Sequence, residues 1–147
     1  MQRQDSLDVT NMINAKAALL CARLCLRTGK RYLQEGLFTA AIAALYDAIL
    51  FAMQYYVAEP TSHGYANISR DDLWDYAALY HKLAKAGVFD DPNAFNHLSL
   101  IVERSLWQGS FSFDANSILR EVENLLSQLG VMPFNESILH GELVATC

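Results

Sequence analysis

Glycine and proline are scarce in this chain, at seven and three of 147 residues. That scarcity disfavours a loop-rich or strand-and-turn fold. Charge is also low: 18% of residues are charged against 52% hydrophobic. A disordered chain needs the reverse balance, so disorder is excluded. Cysteine is sparse and odd in number, with Cys21, Cys25 and Cys147. A disulfide scaffold uses more cysteines in a shorter chain. The three read instead as two small buried residues of a helix and one free terminal thiol. Basic charge does not dominate, since the formal net charge is −5, which argues against a general nucleic-acid binder. Residues 1–8 are polar, with charges of both signs, and lack the apolar centre of a signal peptide. Reduced thiols and this start give the expectation of a cytoplasmic protein.

One long apolar run is present, from Leu37 to Ala58. It is long enough to cross a bilayer. It also contains Thr39, Asp47 and Gln54, and five of its first twelve residues are alanine. A carboxylate in mid-span costs about 2.5–3.5 kcal/mol on insertion scales. The run therefore reads as a fully buried central helix, with no membrane partner.

Helical signals recur along the chain. Residues 9–34 lack proline and are rich in Ala, Leu, Lys and Arg, which favours a long helix. Gly36 closes it, since glycine takes the left-handed conformation that ends a last turn. A second helix covers 38–57, and Pro60 with Gly64 marks a loop after it. Ser69-x-x-Asp72 approximates a capping box and predicts a third helix over 69–86, with Leu73, Ala77, Tyr80 and Ala84 inward. Asp90-Asp91-Pro92 starts a fourth over 93–107, using Phe95, Leu98, Leu100, Ile101, Val102 and Leu106. Asp114 starts a fifth over 115–129, built on Ile118, Leu119, Val122, Leu125, Leu126 and Leu129. Gly130 and Pro133 end it. No strand alternation, repeat or low-complexity tract occurs. The prediction is one all-α domain: an up-and-down antiparallel bundle of four to five helices. Its core spans about 9–130, and 131–147 forms a tail or a short packed helix.

Charge divides unevenly, with +4 over residues 1–34 and −9 over the rest. Lys16, Arg23, Arg27 and Lys30 fall within about 60° on a helical wheel. This basic stripe is a candidate site for an anion or RNA. It also suits an acidic surface of its own body or of a second copy. Metal chemistry is not indicated: there is no Glu-x-x-His, and His63, His81, His97 and His140 are dispersed. No phosphate loop or Gly-x-Ser-x-Gly occurs, and no cofactor is expected. Asp47 stands in the most apolar helix. Buried carboxylates are sometimes functional, but more often they bond a neighbouring Tyr or Arg and serve the core.

The stretch LQEGLFTAAIAALYDAILFAMQYYV, from Leu33 to Val57, resembles the signature of the HEPN superfamily of small helical domains. Leu33, Gly36, Phe38, Ala41, Tyr46, Ala48 and Phe51 carry the likeness. A second match is YHKLAKAG, with His81 and Leu83. A third begins at Arg104, which stands at the family's RNase arginine. Gly109 takes the place of the histidine that follows it, and Phe111 that of a tyrosine. The resemblance implies a HEPN-like bundle that pairs as a homodimer. Glycine has no side chain to move a proton, so it implies no family RNase chemistry. Arg104 would then bind a phosphate, or form an ion pair with Asp114. Trp107 and Phe111 read equally as interface anchors or core. The function expected is a non-catalytic binding or interaction module. Its candidate ligands are a nucleotide or RNA, and its candidate partners a nucleotidyltransferase-type or toxin–antitoxin-type protein. The alternatives are an RNase altered around Arg104, and a bundle binding a small apolar ligand.

Overall fold

A computed structural model describes residues 14–58, 68–69, 71–107, 115–135 and 137, without the side chains of 101, 102 and 104–107. The described residues form five α-helices: α1 Ala15–Gln34, α2 Phe38–Ala58, α3 Tyr76–Lys85, α4 Ala94–Trp107 and α5 Ala115–Gln128. A short 3-10 turn, Asp71–Trp74, precedes α3. Among the described residues the chain is all helical, as the sequence predicts.

The hairpin of α1 and α2 is the most extensive packing unit. Asn14 caps α1 by accepting from the Ala17 N–H at 3.1 Å. Gly36 has φ +77°. That conformation lets the Leu37 N–H reach the Tyr32 carbonyl at 2.9 Å and turn the chain back. Gly29 sits where the two helices touch. A Cβ there would lie 2.7 Å from Leu45 Cδ2 and 2.8 Å from Leu45 Cγ. Helix-interior glycine costs about 1 kcal/mol relative to alanine, and the close approach with a buried Leu45 is what that cost permits.

On α2 rest α1, α3 and α5. Its inward residues include Ala41, Leu45, Ile49 and Met53. The buried side chains of α5, Ile118, Val122, Leu125 and Leu126, recur at helical spacing and close the core. α2 is central but not fully buried, which corrects the sequence reading. Thr39, Ala40 and Ala43 in its first two turns are exposed, and half of its most apolar window is buried. Small side chains cover so little area that leaving them in water costs little.

The segment predicted as one helix over 69–86 is broken. The capping box forms: the Ser69 N–H donates to Asp72 Oδ2 at 2.8 Å, and the Asp72 N–H to Ser69 Oγ at 3.4 Å. It starts only the 3-10 turn. Asp75 then accepts from the Ala78 N–H at 3.1 Å and caps α3 anew. The break resets the helical phase. Leu79, Tyr80 and Leu83 point inward, whereas Ala77, predicted inward, is exposed. Leu100 is a second reversal, predicted inward and 52% exposed. The first helix, predicted from residue 9, starts instead at Ala15, where the extended backbone of Asn14 caps it; residues 9–13, and 136 and 138–147 of the tail, lie outside the described residues.

Buried polar groups hold the elements in place. Gln54, 2% exposed, donates to the Leu73 carbonyl at 2.6 Å and pins the 3-10 turn to α2. An aromatic chain runs from α3 to α4. Tyr46 lies 6.0 Å from Tyr76 and 5.8 Å from Phe95, and Tyr80 stacks on Phe89 at 4.5 Å.

Two stability predictions follow from these contacts. Gly29→Ala should lower unfolding free energy in urea by about 1–3 kcal/mol, the range for an overpacked core. Leu45→Ala should cost less in the Gly29→Ala background than in wild type, because it removes the clashing methyls. The second concerns Asp72, whose side chain is 14% exposed. Burial opposes its charge, but hydrogen bonds from Lys82 and Ser69 hold its carboxyl below the usual range. A lowered folded-state pKa gives stability above the ordinary carboxylate pKa, about 3.9. That stability is lost as pH falls through the folded value. Denaturation midpoints against pH should therefore flatten on the acid side in Asp72→Asn.

Candidate functional site

The outer surface of α4 and the grooves on either side of it form the candidate site. Tyr80 positions the first turn of this helix. Its hydroxyl donates to the Asp91 carbonyl at 3.2 Å and accepts from the Phe95 N–H at 3.2 Å. Asp91 Oδ1 accepts from the Asn93 N–H at 2.9 Å. Ala94, Phe95 and Leu98 then face the core. Asn93, Asn96, His97, Leu100 and Glu103 are exposed on the other side. Helix geometry puts positions 93, 96, 104 and 107 within about 40° of position 100, and 97 and 103 about 60° to either side. Arg104 lies in the same helix, two turns beyond His97. Its side chain and that of Trp107 lie outside the described residues, as do Gly109, Phe111 and Asp114.

Between α3 and α4 runs a groove of about 410 Å³. Ala77, Ala78 and Ala84 form one wall, Pro92, Phe95 and Asn96 the other, with His81 at the rim and Tyr80 below. On the far side, a polar groove of about 360 Å³ is lined by Ser117, Arg120, Glu121 and Asn124 of α5. The Glu121 carboxylate lies 3.9 Å from His97 Nδ1.

The basic stripe has a different fate. Arg23 Nε donates to the Val131 carbonyl at 3.1 Å, and its guanidinium lies 5.0 Å from the centre of the Phe134 ring. Lys30 pairs with Glu123 of α5 at 3.7 Å. Arg27 between them is half-buried, and Lys16 is exposed. As positions on α1 fall from 30 to 23, their partners rise from 123 to 131. The stripe therefore joins α1 antiparallel to α5 and the segment after it. The last of these segments is the sequence-predicted tail, whose Val131 is fully buried.

Asp47 serves the core. Tyr76 donates its hydroxyl proton to Asp47 Oδ1 at 2.6 Å. Burial, that hydrogen bond and the Asp47 charge all push the Tyr76 phenol above its ordinary range. Cys25 shares the neighbourhood. Burial, and then the Asp47 charge, push its thiol up to about 12. A thiol that remains protonated is a poor nucleophile. Cys21, one turn earlier, is disulfide-bonded, so the reading of two reduced thiols fails there; Cys25 is the free cysteine among the described residues. Among the described residues no group of three or more His, Cys, Asp or Glu side chains is placed to hold a metal ion.

Asp47→Asn should lower the Cys25 thiol pKa, because a negative charge beside the thiolate is removed while burial stays. Iodoacetamide should then label Cys25 several-fold faster at pH 8 than in wild type, read by mass spectrometry of the native protein. An unchanged rate would place Asp47 electrostatically remote from the thiol. No protein-family model matches this sequence, and no curated protein or solved structure matches it either.

Proposed function

We propose that this chain is a non-catalytic, HEPN-like interaction module that pairs with a second copy of itself through the outer face of α4. The arrangement around Leu100 carries this reading. A single exposed leucine is ordinary on a protein surface. Here it stands at the centre of a helix face with exposed His97 three residues before it and exposed Glu103 three residues after it. In an antiparallel pair about a two-fold axis at position 100, the two leucines meet at the centre, while residue 97 of each copy shares one flank with its own equivalent and residue 103 the other. An isologous interface sets one patch against its own equivalent, and a neutral apolar centre meets that condition. An apolar centre with a polar rim is also the usual anatomy of such contacts.

Several groups that chemistry would use have structural work instead. Asp47 accepts from Tyr76, and Cys25 stays protonated. The RNA reading of Lys16, Arg23, Arg27 and Lys30 has less support, because Arg23 and Lys30 are bound within the fold. Retention of a small apolar ligand inside the bundle has less support as well. The interior is filled by large side chains such as Leu26, Leu45, Met53 and Leu98, all under 2% exposed.

Sedimentation equilibrium tests the reading. Wild type should give twice the chain mass of 16.5 kDa, and Leu100→Glu the mass of one chain. His97→Glu should also weaken pairing, by setting two carboxylates on one flank of the contact. A wild-type monomer at the highest soluble concentration would refute the proposal.

A further inference from the structure

The 3-10 turn before α3 holds Trp74 out in solvent. Its side chain is 61% exposed, more than Leu100 or Leu37. Tryptophan is highly buried on average, so such exposure is unusual. The residues on either side of it are all engaged with the fold. Asp72 pairs with Lys82, and the Leu73 carbonyl accepts from Gln54 at 2.6 Å. Asp75 caps α3, and Tyr76 donates to Asp47. Among the described residues Trp74 has no hydrogen bond or ring contact. The turn is thus fixed on both sides of a ring that touches nothing. Side chains three residues apart eclipse in a 3-10 turn, so Asp71 stands on the same edge as Trp74. Asp71 is exposed and in no ion pair among the described residues. Asp75, also exposed, uses Oδ1 for the Ala78 N–H and likewise has no cationic partner there.

We infer that Trp74 anchors a docking surface for a basic polypeptide and receives an arginine side chain of that partner. A guanidinium stacks on an indole face, drawn by the ring quadrupole. Its fork of N–H donors then has the Asp71 carboxylate on the same edge for a charge-assisted bond. Tryptophan and arginine are also the residues on which interface energy concentrates. Charge complementarity selects this occupant over others. RNA or an anionic membrane would bring phosphates against two carboxylates. A second copy would set one acidic edge against another. A basic segment instead meets a turn with Asp71 and Asp75 uncompensated among the described residues. It is also steered by the −9 carried over residues 35–147. Because the turn is already fastened by Gln54, Lys82 and the α3 cap, little ordering of this side is left for binding to supply.

The indole N–H resonance of Trp74 in the full chain, titrated with a short capped peptide of alternating arginine and glycine, tests this. The chain has two tryptophans, and Trp74→Phe identifies the signal by its loss. The arginine peptide should shift that resonance at millimolar concentration. The same peptide with glutamate in place of arginine should leave it unmoved. Trp74→Ala should weaken binding, read by calorimetry, by about 2- to 30-fold, the span of a cation–π contact. Asp71→Asn should weaken it too, and should reduce its dependence on salt. Both positions are exposed, so helical circular dichroism should stay unchanged. Leu100→Glu should leave binding intact, which separates this inference from self-pairing. The inference is overturned if the arginine peptide leaves the indole signal unmoved, if Trp74→Ala binds that peptide as well as wild type, or if the glutamate peptide or an RNA oligonucleotide shifts the signal instead. A shift on concentrating the protein alone would also overturn it, by giving the surface to a second copy.

Discussion

The contact between Gly29 and Leu45 sets the distance between the two longest helices, and the other elements take their places from it. With hydrogen in place of a methyl at position 29, the buried Leu45 side chain lies against the α1 backbone. Interiors are close-packed, so even one methylene is felt there. The pair thereby presents α2 as a platform. The 3-10 turn is fastened to it by Gln54 and the Leu73 carbonyl. α3 is fastened by Tyr76 and Asp47, and α5 closes over Leu45, Ile49 and Met53 as part of the same core. α4 is attached through Phe95, Leu98 and a bond from the Tyr46 hydroxyl to Ser99 at 3.3 Å. That attachment leaves its opposite side in water.

The polar side chains sort into two kinds by what surrounds them. Tyr76 donates to Asp47, Tyr46 to the Ser99 hydroxyl and Gln54 to the Leu73 carbonyl, all between elements, where an unpaired group would be costly. Arg23 and Lys30 reach over the flank of α1 to a carbonyl, an aromatic ring and a carboxylate. Their long apolar stems cover surface while the charged ends find partners. The uneven charge along the chain, basic first and acidic later, thus serves partly to join α1 to α5. Leu100 has no such employment among the described residues, and the proposal of self-pairing rests on it and on the surface around it.

Legibility in the sequence followed the range of the forces involved. The bounds of α2, α4 and α5 and the end of α1 were readable within a residue or so wherever caps and glycines are local signals, but the start of α1 was read at residue 9 where Asn14 caps Ala15. Gly36 and Gly130 end helices because the chain itself requires positive φ there. The third helix was misread because two start signals, Ser69 with Asp72 and then Asp75, lie within seven residues. Only packing chose to keep both. Once Asp75 restarted the helix, every later side chain turned through a new angle, and Ala77 moved to the surface. Hydrophobicity alone placed Leu100 inside, and nothing in its neighbours marks it as the outer member of its helix.

The sequence by itself determined an all-helical domain, most of its helix limits, the α1–α2 hairpin and the core stripe of α5. Those follow from backbone preferences and from periodicity, which act over one or two turns. Tertiary structure alone decided which of several available partners each polar group took. Asp47 had Tyr or Arg as candidates and met Tyr76; the basic stripe had RNA, a second copy or its own body, and Arg23 and Lys30 met their own body. Such choices depend on distances between helices far apart in the chain. Those distances are fixed by side-chain volumes at contacts like Gly29 and Leu45, which no local pattern encodes.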